Sequence, residues 1–124
     1  MFELFKSHIL YVRIFKRKIE IRNLNTDQES KKESIKDYSN DRLVIANFGL
    51  AEEFLRQQVK EVCSKPNIKI LIQPIDENIK DFSQVEIRSF LDSAEHAGAK
   101  IVAIDLSQKK LSDQEVIHIL DKNN

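Results

Sequence analysis

The first part of the chain alternates apolar and polar side chains with the period of two that is typical of β-strands. Residues 8–14 are apolar on one face and mixed on the other, and isoleucines alternate with charged residues over positions 18–24. A short basic turn joins these two runs. The pattern therefore predicts an antiparallel hairpin with one buried face.

Residues 42–104 alternate between short apolar runs and segments whose apolar residues recur with the helical period. The apolar runs predict strands at residues 42–47, 68–72 and 100–106. The helical segments predict helices at residues 50–64 and 83–97, and a third helix begins near Ser112. The resulting order, ββ(β)αβαβα, is typical of an α/β layer with parallel strands.

Local signals mark the ends of two of these helices. Ser83 and Glu86 have the spacing of a capping box, in which each side chain bonds the other residue's backbone N–H, and Ser112 and Glu115 repeat it. Gly98 follows the second helix, where a left-handed residue is favoured. These signals predict where the helices begin and end.

Residues 25–41 are polar except for Ile35 and Tyr38. Such a segment has little apolar surface to bury. We interpret it as a mobile loop or linker inside a single domain that spans residues 1–124.

Composition narrows the function classes. The 124 residues suit one domain with a modest core, and 20 basic side chains cancel 20 acidic ones. Because no net charge attracts nucleic acid, we expect no nucleic-acid partner. No apolar run approaches the ~20 residues that span a bilayer. The lone Cys63 suits a buried position in a reducing compartment, so we expect a cytoplasmic protein.

Few residues are candidates for catalysis or cofactor binding. The chain has two glycines and no glycine-rich phosphate motif, and its three histidines share no metal-ligand spacing. Asp76 and Asp105 follow predicted strands, where ligands of open α/β sheets bind, and together they could hold Mg²⁺. We prefer to interpret Asp76 as a solvated loop residue and Asp105 as the end of a strand. We therefore expect no cofactor, no metal and no catalytic residue.

The basic hairpin is the main candidate interaction surface. Its cations could contact phosphates or an acidic protein, and its aromatic residues could stack on bases. The alternative is a solvated hairpin edge whose lysines disfavour pairing with another chain. The candidate residues are Tyr11, Arg13, Phe15, Lys16, Arg17, Lys18 and Ile21. The segment from Met1 to Lys6 could add a weak membrane-surface contact.

Several segments resemble bacterial actins of the MreB type. They are residues 44–56, residues 83–88, and Ser93 and Ala94 followed by residues 97–100. In that family an apolar strand after a basic–proline pair precedes the second segment, as residues 65–72 do here. The resemblance implies an RNase H-like mixed sheet with flanking helices, equivalent to one actin subdomain, with strand order 3-2-1-4-5.

The nucleotide-binding positions of that family are altered in this chain. The family's phosphate loop is an Asp-x-Gly-Thr-x-Asn turn, and the matching positions here are Val12, Ile14, Phe15 and Arg17. Of the family's acidic pair after the last strand, Asp105 remains, and Leu106 replaces the second acid. No segment resembles the second half of the actin cleft. The resemblance therefore does not carry over ATP binding.

We expect a non-catalytic interaction module that resembles MreB, associates with cell-shape or cytoskeletal proteins and binds no ATP. The expected partner is a bacterial cytoskeletal protein or a second copy. We place the second hairpin strand toward the sheet edge, where its backbone could pair with that copy in a homodimer. The alternatives are a STAS-like regulatory module, whose Asp-Ser-Ser-Gly helix start is missing here, and a residual metal-dependent RNase H-like enzyme using Asp76 and Asp105.

Overall fold

The computed structural model of the chain describes residues 7–33, 48–76 and 82–122. Its elements, in chain order, are strands β1 (His8–Ile14), β2 (Lys18–Asn23) and β3 (Glu29–Glu33), helix α1 (Phe48–Val62), strand β4 (Ile68–Pro74), helix α2 (Gln84–His96), strand β5 (Ala99–Ile104) and helix α3 (Asp113–Lys122). The chain therefore has the mixed α/β architecture that the hydrophobic pattern predicts.

The five strands form one mixed sheet in the order β3-β2-β1-β4-β5. Strand β1 pairs antiparallel with β2, where Val12 lies opposite Ile21, and parallel with β4, where Leu10 lies opposite Ile70. The outer pairs are β2 with β3, antiparallel, and β4 with β5, parallel. Because β1 and β4 lie inside the sheet with helices on both faces, their apolar runs are nearly continuous.

Helices α1 and α2 cover one face of the sheet, and α3 covers part of the other. On the first face Leu10, Val12 and Ile14 of β1 pack in one cluster with Leu55 of α1 and Phe90 of α2. On the second face Tyr11 packs with Val116 and Leu120 of α3. Among the described residues, no helix combines the length and the apolar character of a membrane span.

Both predicted capping boxes are confirmed. Ser83 Oγ accepts the N–H of Glu86 at 3.1 Å, and the Glu86 carboxylate accepts the N–H of Ser83 at 3.0 Å. Ser112 and Glu115 make the same reciprocal bonds at 3.2 and 3.0 Å. Gly98 has φ of 114°, in the region that favours glycine, as expected after a helix. Local sequence thus determines where α2 and α3 begin and where α2 ends.

The interpretation of residues 25–41 as a loop is wrong for five of them. Glu29–Glu33 form β3, which pairs antiparallel with β2. Gln58 of α1 holds this strand, because its buried Nε2 donates to the carbonyl oxygens of Ile19 at 2.6 Å and Ser30 at 3.1 Å. Residues 34–41, the predicted strand at 42–47 and the possible membrane contact at residues 1–6 lie outside the described residues.

Candidate functional site

The carboxyl ends of the parallel strands β1, β4 and β5 meet at one edge of the sheet, here called the carboxyl edge. Ligands of open α/β sheets bind at such an edge. The basic turn at residues 15–18 follows β1, Asp76 lies just beyond β4, and Asp105 follows β5. Tertiary structure thus brings the basic turn and both candidate acids to one edge.

The basic turn makes several contacts within the hairpin. The N–H of Phe15 donates to the carbonyl oxygen of Lys18 at 2.8 Å and closes the turn. The Arg13 guanidinium and the Lys18 ammonium lie 5.3 and 4.3 Å from the centre of the Phe15 ring, within cation–π range. Both cations also approach Glu20, with N–O distances of 3.6 and 3.3 Å. Arg17 is exposed to solvent.

Asp76 links the basic turn to the loop that follows β5. Its side chain is buried, and one carboxylate oxygen lies 3.5 Å from the Lys16 ammonium. The N–H of Asp76 donates to Gln108 Oε1 at 2.9 Å, while Gln108 Nε2 donates to the Pro74 carbonyl oxygen at 2.8 Å. The backbone of Gln108 has a φ of 70°, a left-handed conformation that residues other than glycine rarely adopt. The interpretation of Asp76 as a solvated loop residue is therefore wrong.

Asp105 belongs to a second set of contacts at the same edge. Its Oδ2 accepts hydrogen bonds from Gln73 Nε2 at 2.8 Å, and from the N–H and Oγ of Ser107 at 3.1 and 2.6 Å. Gln73 lies on β4 and is fully buried. Its Nε2 also donates to the Lys109 carbonyl oxygen at 2.7 Å. Asp105 thus ties the last strand to the loop after it.

Tyr11 completes this network from β1. Its hydroxyl donates to Gln73 Oε1 at 2.5 Å and accepts the N–H of Leu111 at 3.0 Å. Arg13 Nε donates to the same glutamine oxygen at 3.0 Å. Burial raises the pKa of Tyr11, and the Leu111 N–H opposes this effect. Tyr11 therefore connects β1 to β4 and to the loop before α3.

The two candidate acids already contact neighbouring protein groups. Asp105 receives three hydrogen bonds through one oxygen, and Asp76 faces an ammonium group. Within residues 7–33, 48–76 and 82–122, no group of three or more His, Cys, Asp or Glu side chains is placed to hold a metal ion. The contacts of Asp76 and Asp105 join the ends of β4 and β5 to the basic turn and to the loop after β5.

Two of the candidate interaction residues are buried in the core. Tyr11 is 5% exposed and Ile21 is 1% exposed. The prediction that β2 lies at the edge of the sheet is wrong, because β3 pairs with its outer side. Neither side chain therefore lies on the outer surface of the folded chain, and β2 has no open edge for pairing with a copy.

The structure also forms a cavity of about 70 Å³ that the sequence did not indicate. It lies between the hairpin and the loop before α3, and Tyr11, Arg22, Lys31 and Lys110 are among its lining residues. Lys31 falls in the segment interpreted as a loop. Residues 29–33 read Glu-Ser-Lys-Lys-Glu and lack the apolar positions that normally mark a strand.

No protein-family model matches the chain, and no curated protein matches it in sequence.

Proposed function

We propose that this protein is a non-catalytic interaction module with the RNase H-like fold of a single actin subdomain. The observation that carries the proposal is the strand order β3-β2-β1-β4-β5, with β1 antiparallel to β2 and parallel to β4. This order is the one that the resemblance to MreB-type actins implies, with Glu29–Glu33 as the third strand where the sequence predicted residues 42–47. It favours an actin-type relationship over a STAS-type one.

The contacts of β1 support a role without ATP. Val12 and Ile14 stand where the family's phosphate loop has its acid and its glycine, and both are fully buried among the core residues beneath α1 and α2. Their side chains supply no polar group to a phosphate. The turn that follows is closed by Phe15 and Lys18, and Lys16 faces Asp76. The carboxyl edge is thus occupied by internal contacts where a nucleotide would bind.

The proposed partner is a second copy of the chain or a bacterial actin of the MreB type. A cytoplasmic location is part of the proposal, since Cys63 is a buried free thiol. Among the described strands β3 is the outermost on the hairpin side. Pairing of copies on that side would therefore involve β3, whose residues are mostly charged and exposed.

Sedimentation velocity at tens of micromolar protein tests the proposal. The chain alone is expected to sediment at twice its mass of 14.5 kDa, or to bind a purified MreB-type actin in a mixed sample. An unrelated protein of similar size is the control. A clean monomer that leaves the sedimentation of the actin unchanged would contradict the proposed partners.

A further inference from the structure

The cavity beside the hairpin lies where α3 does not cover the sheet. Val116 and Leu120 of α3 pack over Tyr11 and Leu71, on the side of the sheet nearer β5. On the same face, β2 and β3 present charged side chains, because Glu20 lies opposite Lys31 in the register. The cavity of about 70 Å³ lies between this charged surface and the loop before α3.

The charges that line the cavity do not balance. Four cationic and two anionic side chains line it, so its wall carries two positive charges in excess. Both arginines have carboxylate partners. Arg13 contacts Glu20, and Arg22 contacts Asp27, Asp113 and Glu29. Asp27 and Asp113 lie outside the lining, and with them the acids near the wall equal its four cations in number. Lys31 and Lys110 are the two lining cations for which these acids form no ion pair.

These two lysines face the cavity from different parts of the fold. Lys31 lies on β3, and Lys110 lies in the loop before α3. Both are exposed, and neither makes an ion pair with a carboxylate in residues 7–33, 48–76 or 82–122. A negatively charged group placed between them would supply both lysines with an ionic partner.

We propose that this cavity, between Lys31 and Lys110, receives a carboxylate side chain from an acidic segment of a protein partner. The volume suits the end of a Glu or Asp side chain. The wall also carries Glu20 and Glu29, which repel a phosphate dianion more strongly than a singly charged carboxylate. The inference rests on the proposed role as an interaction module and specifies the chemistry of its partner.

Nuclear magnetic resonance titration with a tetraglutamate peptide tests this site on the intact chain. The peptide is expected to shift the backbone amide signals of Lys31 and Leu111, and a tetraglutamine peptide is expected not to do so. The double variant Lys31→Ala, Lys110→Ala should bind the acidic peptide about fivefold more weakly, because two exposed ion pairs are lost. Lys31→Arg with Lys110→Arg should retain binding, because the charges stay in place.

The matched control is Lys60→Ala with Lys65→Ala. Both lysines are exposed, and the control removes the same charge elsewhere on the surface. Equal weakening in the control and the cavity variant would overturn the proposal, because the attraction would then be general. Unchanged binding in the cavity variant, with an unchanged far-ultraviolet circular dichroism spectrum, would also overturn it. So would inorganic phosphate shifting the same signals at a lower concentration than the peptide.

The peptide titration and the sedimentation experiment can succeed or fail independently of each other. Peptide binding at the cavity supports this inference even if sedimentation finds neither a dimer nor an actin complex. Conversely, a complex that is unaffected by Lys31→Ala, Lys110→Ala supports the interaction role and contradicts the cavity as its docking site.

Discussion

Replacing Tyr11 with Phe tests whether the buried network holds the carboxyl edge together. The substitution keeps the ring that packs under α3 and removes only the hydroxyl. That hydroxyl bonds Gln73 Oε1 and the N–H of Leu111, so the change loses two hydrogen bonds and leaves the N–H of Leu111 without its acceptor. Gln73 Oε1 still accepts from Arg13.

The expected loss follows from these contacts. A hydrogen bond contributes about 1 kcal/mol net, and an unsatisfied buried donor costs about 1–3 kcal/mol. Because the ring remains in place, we expect Tyr11→Phe to lower the free energy of unfolding by about 2 kcal/mol. For a domain of this size that corresponds to a melting temperature lower by roughly 8 °C.

Urea unfolding followed by circular dichroism measures this difference. Ser93→Ala is the matched control, because it removes a buried hydroxyl whose bond to the Ser89 carbonyl oxygen lies within α2. That change leaves no buried donor unpaired, so we expect a loss below about 0.5 kcal/mol. A Tyr11→Phe protein as stable as the control would refute the assigned role of the hydroxyl.

The same pair of proteins gives a test against pH. Burial raises the pKa of Tyr11 in the folded chain above its ordinary value near 10. A raised pKa means that the unfolded chain ionises first, so this stabilisation is complete below pH 10 and is lost as pH rises through the folded-state pKa. The stability difference between wild type and Tyr11→Phe should therefore shrink above pH 10. A constant difference up to pH 11 would contradict the raised pKa.

Three further predictions address the helix cap, the core and the nucleotide. Ser83→Ala should lower the free energy of unfolding by about 1 kcal/mol in urea titrations, because the cap of α2 is lost, and leave partner binding unchanged. Ile21→Lys should unfold the chain, because position 21 is buried, and should lower the free energy of unfolding by more than about 4 kcal/mol. Arg17→Glu, at an exposed position, is the control. A folded Ile21→Lys monomer would contradict the register of β2. Calorimetric titration with Mg-ATP should give no dissociation constant below about 100 μM, whereas tighter binding would contradict the role assigned to Val12 and Ile14.

Local sequence was sufficient for the elements whose signals lie within a few residues. The alternation around Ile19 and Ile21 predicted a strand with one buried face, and both residues are buried. The Ser83 and Ser112 capping boxes predicted the starts of α2 and α3, because the bonds of a helix cap join residues three positions apart. The lone Cys63, which the sequence predicted to be buried, is buried directly after the last residue of α1.

Tertiary structure decided the features that depend on distant residues. Strand β3 has no apolar alternation and is held instead by Gln58, which lies 28 positions after Ser30. Tyr11 is buried because Leu111, 100 positions later, closes over it with α3. The cavity between Lys31 and Lys110 exists because β3 and the loop before α3 meet across the sheet. Such contacts follow from the packing of whole elements, and local periodicity carries no information about them.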